Sequence, residues 1–313
     1  MPRPPAWSAS TAPCGGALSE LTRLSRLLST AGFVAPDEEA HELVAAAGDD
    51  VGLLDALVER RLTGEPLAWI TGRTSFCDVE LRVDPGVYVP RWHTEQLARR
   101  AVDLLPPAGT AIDLCTGTGA IAKTLLAAHA GGGAGAGTPG REGTPARVVA
   151  TDMDERAVAC ARVNGVDAYC GDLFSPLPGP LEGRVDLVVA VVPYVPTPAL
   201  ALLQRDTLTF ESPLSYDGGP DGTDILRRVL TESPRYLRPG GRVLLELGGE
   251  ESDALSDDLV RLGYVNASVL LDDDDDVRGL EATWVGPTAS TVDLTTGAPP
   301  RWRSRRGRSA PRR

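Results

Sequence analysis

From Thr110 onward the chain repeats one pattern: a short apolar run, a helical stretch or loop, then another apolar run. The runs are Thr110–Leu114, Arg147–Thr151, Val166–Cys170, Val185–Ala190 and Arg242–Leu247. Such alternation implies right-handed βαβ crossovers, which place helices on both faces of a mostly parallel sheet. Two last runs, Tyr264–Leu271 and Glu281–Val285, lie close together and are expected to pair antiparallel at an edge. The expected fold class is therefore α/β, a doubly wound and mostly parallel seven-stranded sheet.

Ahead of this region the periodicity is helical. Leu18, Leu21, Leu24 and Leu28 recur at steps of three or four, with Gly32 as a stop. A second helix is expected over Asp37–Ala47, after Pro36 and before Gly48, and a third over Val51–Leu62. Leu54, Leu57, Val58 and Leu62 form the apolar stripe of the third, and Gly64 follows it. These three make a small helical bundle. Residues 1–16, rich in Pro, Ser and Ala, and residues 287–313, without periodicity, are expected to lie outside the folded parts. That leaves a helical domain over 17–75 and a sheet domain over 76–286. Gly131 to Pro145 is a Gly/Ala/Pro-rich insert expected to loop out over the surface.

Composition excludes several classes. No stretch approaches the roughly 18–20 consecutive apolar residues that span a bilayer, and Met1 to Pro13 has no apolar core of a signal peptide. The five cysteines, Cys14, Cys77, Cys115, Cys160 and Cys170, are scattered and include no CxxC pair, so neither a disulfide framework nor a metal site is expected. A cytoplasmic, monomeric protein fits this pattern. The net charge of −12 argues against general affinity for phosphate backbones. The exception is the stretch Arg301 to Arg313, with seven arginines and no acid, read as a solvated tail or an electrostatic tether to RNA.

The first chemical signal is Asp113-Leu-Cys-Thr-Gly117-Thr-Gly119, between a strand and the helix expected over Ala120–His129. Glycines let backbone approach a ligand, and a helix N-terminus offers oriented N–H groups. Alone, such a turn serves a dinucleotide or merely reverses the chain. Two further acids bear on this. Asp152, followed by Met153, ends the second strand, where a carboxylate can accept both ribose hydroxyls of a nucleoside. Asp172, followed by Leu173, comes after the third, within reach of an adenine amino group. Together they describe one ligand site at the C-terminal edge of the sheet. GxG followed by Ala-Ile is not the dinucleotide GxGxxG, and no Gly-Lys-Ser/Thr is present. The pattern favours S-adenosylmethionine over NAD or ATP, with Asp113, Cys115, Thr116, Gly117, Thr118, Gly119, Asp152, Met153, Asp172 and Leu173 around it.

The fourth strand runs into Val191-Val192-Pro193-Tyr194. Other distinctive stretches are Gly64-Glu-Pro-Leu-Ala-Trp-Ile-Thr-Gly72 through Phe76, Val89-Pro90-Arg91-Trp92-His93-Thr94-Glu95, Asp217-Gly-Gly-Pro-Asp-Gly222, and Pro239-Gly-Gly-Arg-Val-Leu-Leu-Glu246-Leu-Gly248. On these stretches the sequence resembles the N(5)-glutamine methyltransferases of peptide chain release factors, the HemK-like family, over roughly residues 18–285. The resemblance implies a Rossmann-like class I methyltransferase fold and a helical N-terminal domain for substrate recognition. It also implies S-adenosylmethionine as cofactor, with Arg91 and Thr94 among its contacts, and a release factor as protein substrate. Val191, Val192, Pro193 and Tyr194 would hold the acceptor.

In that family the fourth strand ends in Asn-Pro-Pro-Tyr, and the asparagine with a neighbouring carbonyl accepts hydrogen bonds from the substrate amide. An amide nitrogen is a poor nucleophile, so two acceptors that orient it matter. Here Val191 stands in the asparagine's place and Val192 in that of the first proline. Valine accepts no hydrogen bond, whereas the Val192 carbonyl can. Cys115 replaces the loop's usual first glycine, and His93 an aspartate. Two alternatives therefore stay open: a methyltransferase with a different acceptor, small molecule or protein, and a cofactor-binding protein that has lost turnover.

Overall fold

A computed structural model describes residues 15–130, 145–203 and 209–286. The N-terminal residues 1–14, the insert as far as residue 144 and the arginine-rich tail lie outside the described residues. The chain divides into two compact units, with the division between Gly72 and Arg73.

The first unit holds α1 (Gly15–Thr30), α2 (Pro36–Ala47), α3 (Val51–Leu62) and a short α4 (Leu67–Thr71). Pro36 opens α2, where its missing N–H costs nothing, and Asp50 caps α3 by accepting the Leu53 N–H at 2.9 Å. Leu24, Leu28, Leu43, Leu54, Leu57 and Val58 pack into one core. Leu62, expected on the buried stripe of α3, is instead 41% exposed. It sits at the last turn, where the stripe has already rotated past the packed face. The first helix starts at Gly15, two residues inside the segment expected to lie outside the fold.

The second unit opens with a hairpin, β1 (Arg73–Phe76) and β2 (Val79–Arg82), whose two-residue turn places Cys77 and Asp78 at φ 47° and 64°. Both central residues at positive φ match the twist of antiparallel strands. Then follow α5 (Thr94–Leu104), β3 (Thr110–Leu114), α6 (Ala120–Ala128), β4 (Arg147–Asp152), α7 (Glu155–Val163), β5 (Asp167–Cys170) and β6 (Val185–Ala190). The unit closes with α8 (Asp224–Tyr236), β7 (Leu237–Glu246), α9 (Gly249–Ala254), α10 (Ser256–Arg261), β8 (Tyr264–Leu271) and β9 (Val277–Trp284). Among the described residues, no helix is long and apolar enough to cross a membrane.

The main sheet has seven strands in the order β5-β4-β3-β6-β7-β9-β8, parallel through β7 and antiparallel for the last two. The expected doubly wound sheet is present. The last two strands do pair antiparallel, but β9 is interior and only β8 is an edge. The sheet has two buried faces, and side chains divide between them with period two. Ile112, Leu114, Val149, Val188, Ala190, Val243 and Leu245 share a core with Leu226, Val229 and Leu230 of α8. Ala111, Val148, Ala150, Leu187, Val189 and Leu244 share the other with Leu97 and Ala101 of α5 and Ile121 and Leu125 of α6. The chain winds outward from β3 to β5, then returns beside β3 as β6. That reversal leaves a crevice at the C-terminal ends of β3 and β6, where open α/β sheets take ligands.

Candidate active site

Three strand tips are stitched together at this crevice. After β3 the backbone turns left-handed at Cys115, Gly117 and Gly119, with φ of 55°, 56° and 81°. A side chain at Gly119 would be strained, because a Cβ there would stand 2.8 Å from Val166 Cγ2 at a left-handed φ. The Asp113 carboxylate fixes the loop by accepting from Thr116 Oγ1 at 2.6 Å and from the Ala122 N–H at 3.1 Å. The tip of β4 is joined next. Thr116 N–H donates to Thr151 O at 3.0 Å, and Gly117 N–H to Asp152 Oδ2 at 2.9 Å. The third tip follows, with Gly171 N–H donating to Asp152 O at 2.9 Å. Gly117, Gly119, Asp152 and Asp172 thus belong to adjoining turns.

The residues after each acid differ in what they present. Met153 is 69% exposed. Leu173 is buried in the core. Asp172 is exposed, and both its oxygens accept from Arg228 of α8, at 3.1 and 2.7 Å.

Facing the glycine loop is the segment between β2 and α5. Tyr88, Pro90, Arg91 and Thr94 line one pocket with Asp113, Cys115, Thr116, Gly117, Thr118 and, from the tip of β6, Val191. Two buried hydroxyls in this pocket, Thr94 Oγ1 and Thr118 Oγ1, have no hydrogen-bond partner within the protein. Leaving such a group unpaired costs on the order of 1–3 kcal/mol, so the pocket is built to receive polar atoms.

The wall is held from behind. Glu211, in the segment that follows the tip of β6, accepts from Val89 N–H at 3.1 Å, from Arg91 Nη2 and from the Tyr216 hydroxyl. Tyr88 lies under the Arg91 guanidinium, 5.0 Å from carbon to ring centre, and edge-on to Tyr216.

At the β6 tip, Val191 is half-buried and Val192 is inside the core, which leaves the Val192 main chain as its only polar group. Tyr194 follows Pro193 and donates its hydroxyl to Glu246 Oε1 at 3.2 Å. His93 Nε2 stands 3.6 Å from the same oxygen and is not among the pocket-lining residues.

Burial dominates the electrostatics of the two acids at the tips of β3 and β4. Burial pushes Asp113 up to about 7, against the hydrogen bonds from Thr116 and Ala122 that favour its charged form. Burial also raises Asp152. The Cys115 thiol lies far above its usual range, first through burial and then through the charges of Asp152, Asp113 and Asp172. It is therefore an inert small side chain rather than a nucleophile. Burial pushes the Tyr88 phenol up to about 12.

Sequence reasoning missed Tyr88, Glu211, Tyr216 and Arg228. A lone glutamate or arginine in a polar stretch carries no periodicity, and the bonds of Arg228 to Asp172 and of Arg91 to Glu211 and Tyr216 span 56, 120 and 125 positions.

No family model matches the chain. It is 32% identical over 222 residues to the release factor glutamine methyltransferase of Geobacter sulfurreducens, covering 69% of this chain and 72% of that one. It is 34% identical over 252 residues to the protein of the same name from Streptomyces coelicolor, covering 73% and 84%. Among solved structures it is similar to the Mtq2–Trm112 complex of E. cuniculi, at 20% identity and TM-score 0.44, over 64% of this chain and 99% of that one.

Proposed function

Since the chain belongs to the release factor glutamine methyltransferases, we propose that it methylates the side-chain amide of a glutamine in a release factor, in the cytoplasm, with S-adenosylmethionine as donor. The observation that carries this reading is the pocket between the glycine loop and the Tyr88–Thr94 wall, with its two unpartnered hydroxyls.

The donor set fits such a cofactor. Thr94 and Thr118 offer hydroxyls to its amino-acid end, and the start of α6 offers backbone N–H groups. The Asp152 oxygens each accept one backbone N–H, and a carboxylate oxygen keeps a second lone pair for a ribose hydroxyl. Asp172 keeps lone pairs beyond those used by Arg228 for an adenine amino group. When bound, the cofactor supplies an electrophilic methyl group on a sulfonium.

The chain's own residues would then orient the acceptor. The Val192 carbonyl accepts one amide hydrogen. Tyr194, its hydroxyl tied to Glu246, forms a rigid flank. The shelter of the pocket keeps competing water from the methyl group. Val191 contributes shape and no hydrogen bond. Loss of one aimed acceptor at a transition state costs roughly 10²–10³ in rate. That single residue favours a second reading, in which the same cofactor serves an acceptor that needs no amide clamp.

Transfer of labelled methyl to a release factor carrying a Gly-Gly-Gln loop separates the two. Label on that glutamine is the expected result. No label there, from folded protein that binds the cofactor, removes the amide reading and leaves the second.

A further inference from the structure

Glu211 lies outside the pocket, yet it ties together the parts that form the pocket's outer wall. Its side chain is buried, at 4% exposure, and it accepts from three donors. Two of them, Val89 N–H and Arg91 Nη2, belong to the wall; the third is the Tyr216 hydroxyl, to which Arg91 Nη2 also donates at 2.8 Å. Across the gap, the Tyr88 carbonyl oxygen stands 3.9 Å from where a Cβ on Gly117 would be. Wall and glycine loop therefore abut with no side chain of the loop between them, and a small shift of the wall changes the pocket directly. The same segment reaches the acceptor side, because Val195 N–H, one residue after Tyr194, donates to the Tyr216 carbonyl at 2.8 Å.

We propose that Glu211 is a positioning residue: it fixes the Val89–Arg91 wall against the glycine loop and thereby sets the affinity of the pocket for the adenosyl cofactor. This rests on the reading that the pocket takes S-adenosylmethionine. A carboxylate suits the task because it is acceptor-only and meets three donors, one of them cationic. A glutamine of the same shape would turn an NH₂ towards at least one of those donors and loosen the wall without emptying the space.

The experiment uses the full-length protein and compares Glu211→Gln, Arg91→Met, the double variant and Tyr216→Phe. Calorimetry gives the affinity for S-adenosylmethionine, and steady-state kinetics give KM for the cofactor and kcat. Glu211→Gln is expected to weaken binding about tenfold and to raise KM in step, with kcat at saturating cofactor changed less than about threefold. Because Glu211 acts partly through Arg91 and partly through the Val89 N–H, the double variant is expected to lose less than the sum of the two single losses. Tyr216→Phe removes one donor while keeping the ring, and is expected to weaken binding about threefold. It stands in for Glu211→Gln should that variant not fold. A purely structural glutamate would lower the melting temperature and leave the affinity of the folded protein untouched. Affinity within about 1.5-fold of wild type in the folded variants, or additive losses in the double variant, overturns the proposal. Wild-type protein that binds no S-adenosylmethionine overturns both this proposal and the reading beneath it. Intact wild-type binding with unchanged variants removes only the role of Glu211.

Discussion

The two sides of the crevice are built by different means. On the cofactor side, short-range bonds tie one loop to itself and to the next strand. Asp113 meets Thr116 and Ala122 three and nine residues on, and Gly117 meets Asp152 at a separation of 35. On the opposite side, formed by the outer wall and the acceptor flank, Arg91 meets Glu211 and Tyr216 across 120 and 125 residues, and Tyr194 meets Glu246 across 52. The first side is stitched largely through main chain at the ends of buried strands, so its shape follows from the sheet. The second is a set of side chains from separate segments, so its shape depends on side-chain identity more than on the sheet. Val191 is one of these side chains: it sits at a strand tip, lines the pocket, and leaves the sheet beneath it intact.

The largest test of this contrast falls on the acceptor side. Val191→Asn restores a side-chain acceptor beside the Val192 carbonyl, and glutamine methylation is expected to rise about 10²–10³-fold, read as kcat with a release factor substrate. An unchanged rate would mean that the amide clamp is not what limits this site, and the contrast would lose its chemical meaning.

On the cofactor side the corresponding weak point is a charge. The folded Asp113 carboxyl is raised to about 7 by burial, well above the ordinary aspartate value. Between pH 4 and 7 the folded protein therefore holds a proton that the unfolded chain has released, and stability falls as pH rises through that window. Asp113→Asn removes the titration. Relative to wild type the variant should gain about 2 kcal/mol between pH 5 and pH 7, the slope of about 1.4 kcal/mol per unit halving as pH reaches the folded value, by urea unfolding at each pH. Parallel curves for the two proteins would show that the hydrogen bonds from Thr116 and Ala122 offset the burial and keep Asp113 charged.

A smaller effect is expected where the loop meets α7. Gly119→Ala needs a left-handed backbone and pushes a methyl against Val166 and Ala161. It should cost about 2 kcal/mol of stability, measured as a lower urea midpoint with unchanged slope. A neutral outcome would show that the turn relaxes and that the cofactor side is no stiffer than the acceptor side.

This difference in construction also decides what could be read before the structure. The alternating apolar runs fixed the strands of the main sheet, because a strand buried on both faces leaves a continuous apolar run. Thr110–Leu114 and Val185–Ala190 matched to the residue, and Val51–Leu62 matched as a helix. The glycine loop was visible for the same reason: its bonds are local, so its residues are neighbours in sequence. The β1–β2 hairpin was not visible, since Cys-Asp is not the Asn-Gly that usually marks a two-residue turn. Nor was the long start of β7, because Pro239-Gly-Gly241 reads as a turn while in the structure it bulges, with Gly240 at φ 83°, within a strand that begins at Leu237. The network of Glu211, Arg91 and Tyr216 depends on a chain path that no local pattern encodes.

Asp152 offers the finest discrimination between the two sides, because one side chain serves both scaffold and ligand there. Its Oδ2 holds the Gly117 N–H and its Oδ1 the Asp154 N–H. Asp152→Ala removes both acceptors together with the ribose contact assigned to them, and cofactor binding is expected to weaken at least about tenfold by calorimetry. Asp152→Asn keeps one acceptor oxygen and the shape of the turn, so it should fall between alanine and wild type. Alanine weak but asparagine near wild type would mean that the carboxylate acts through the Gly117 turn. Both variants weak would mean that the ribose hydroxyls need the second oxygen. Affinity unchanged in both would place the ribose away from the tip of β4, and the short-range stitching of that side would then be scaffold alone.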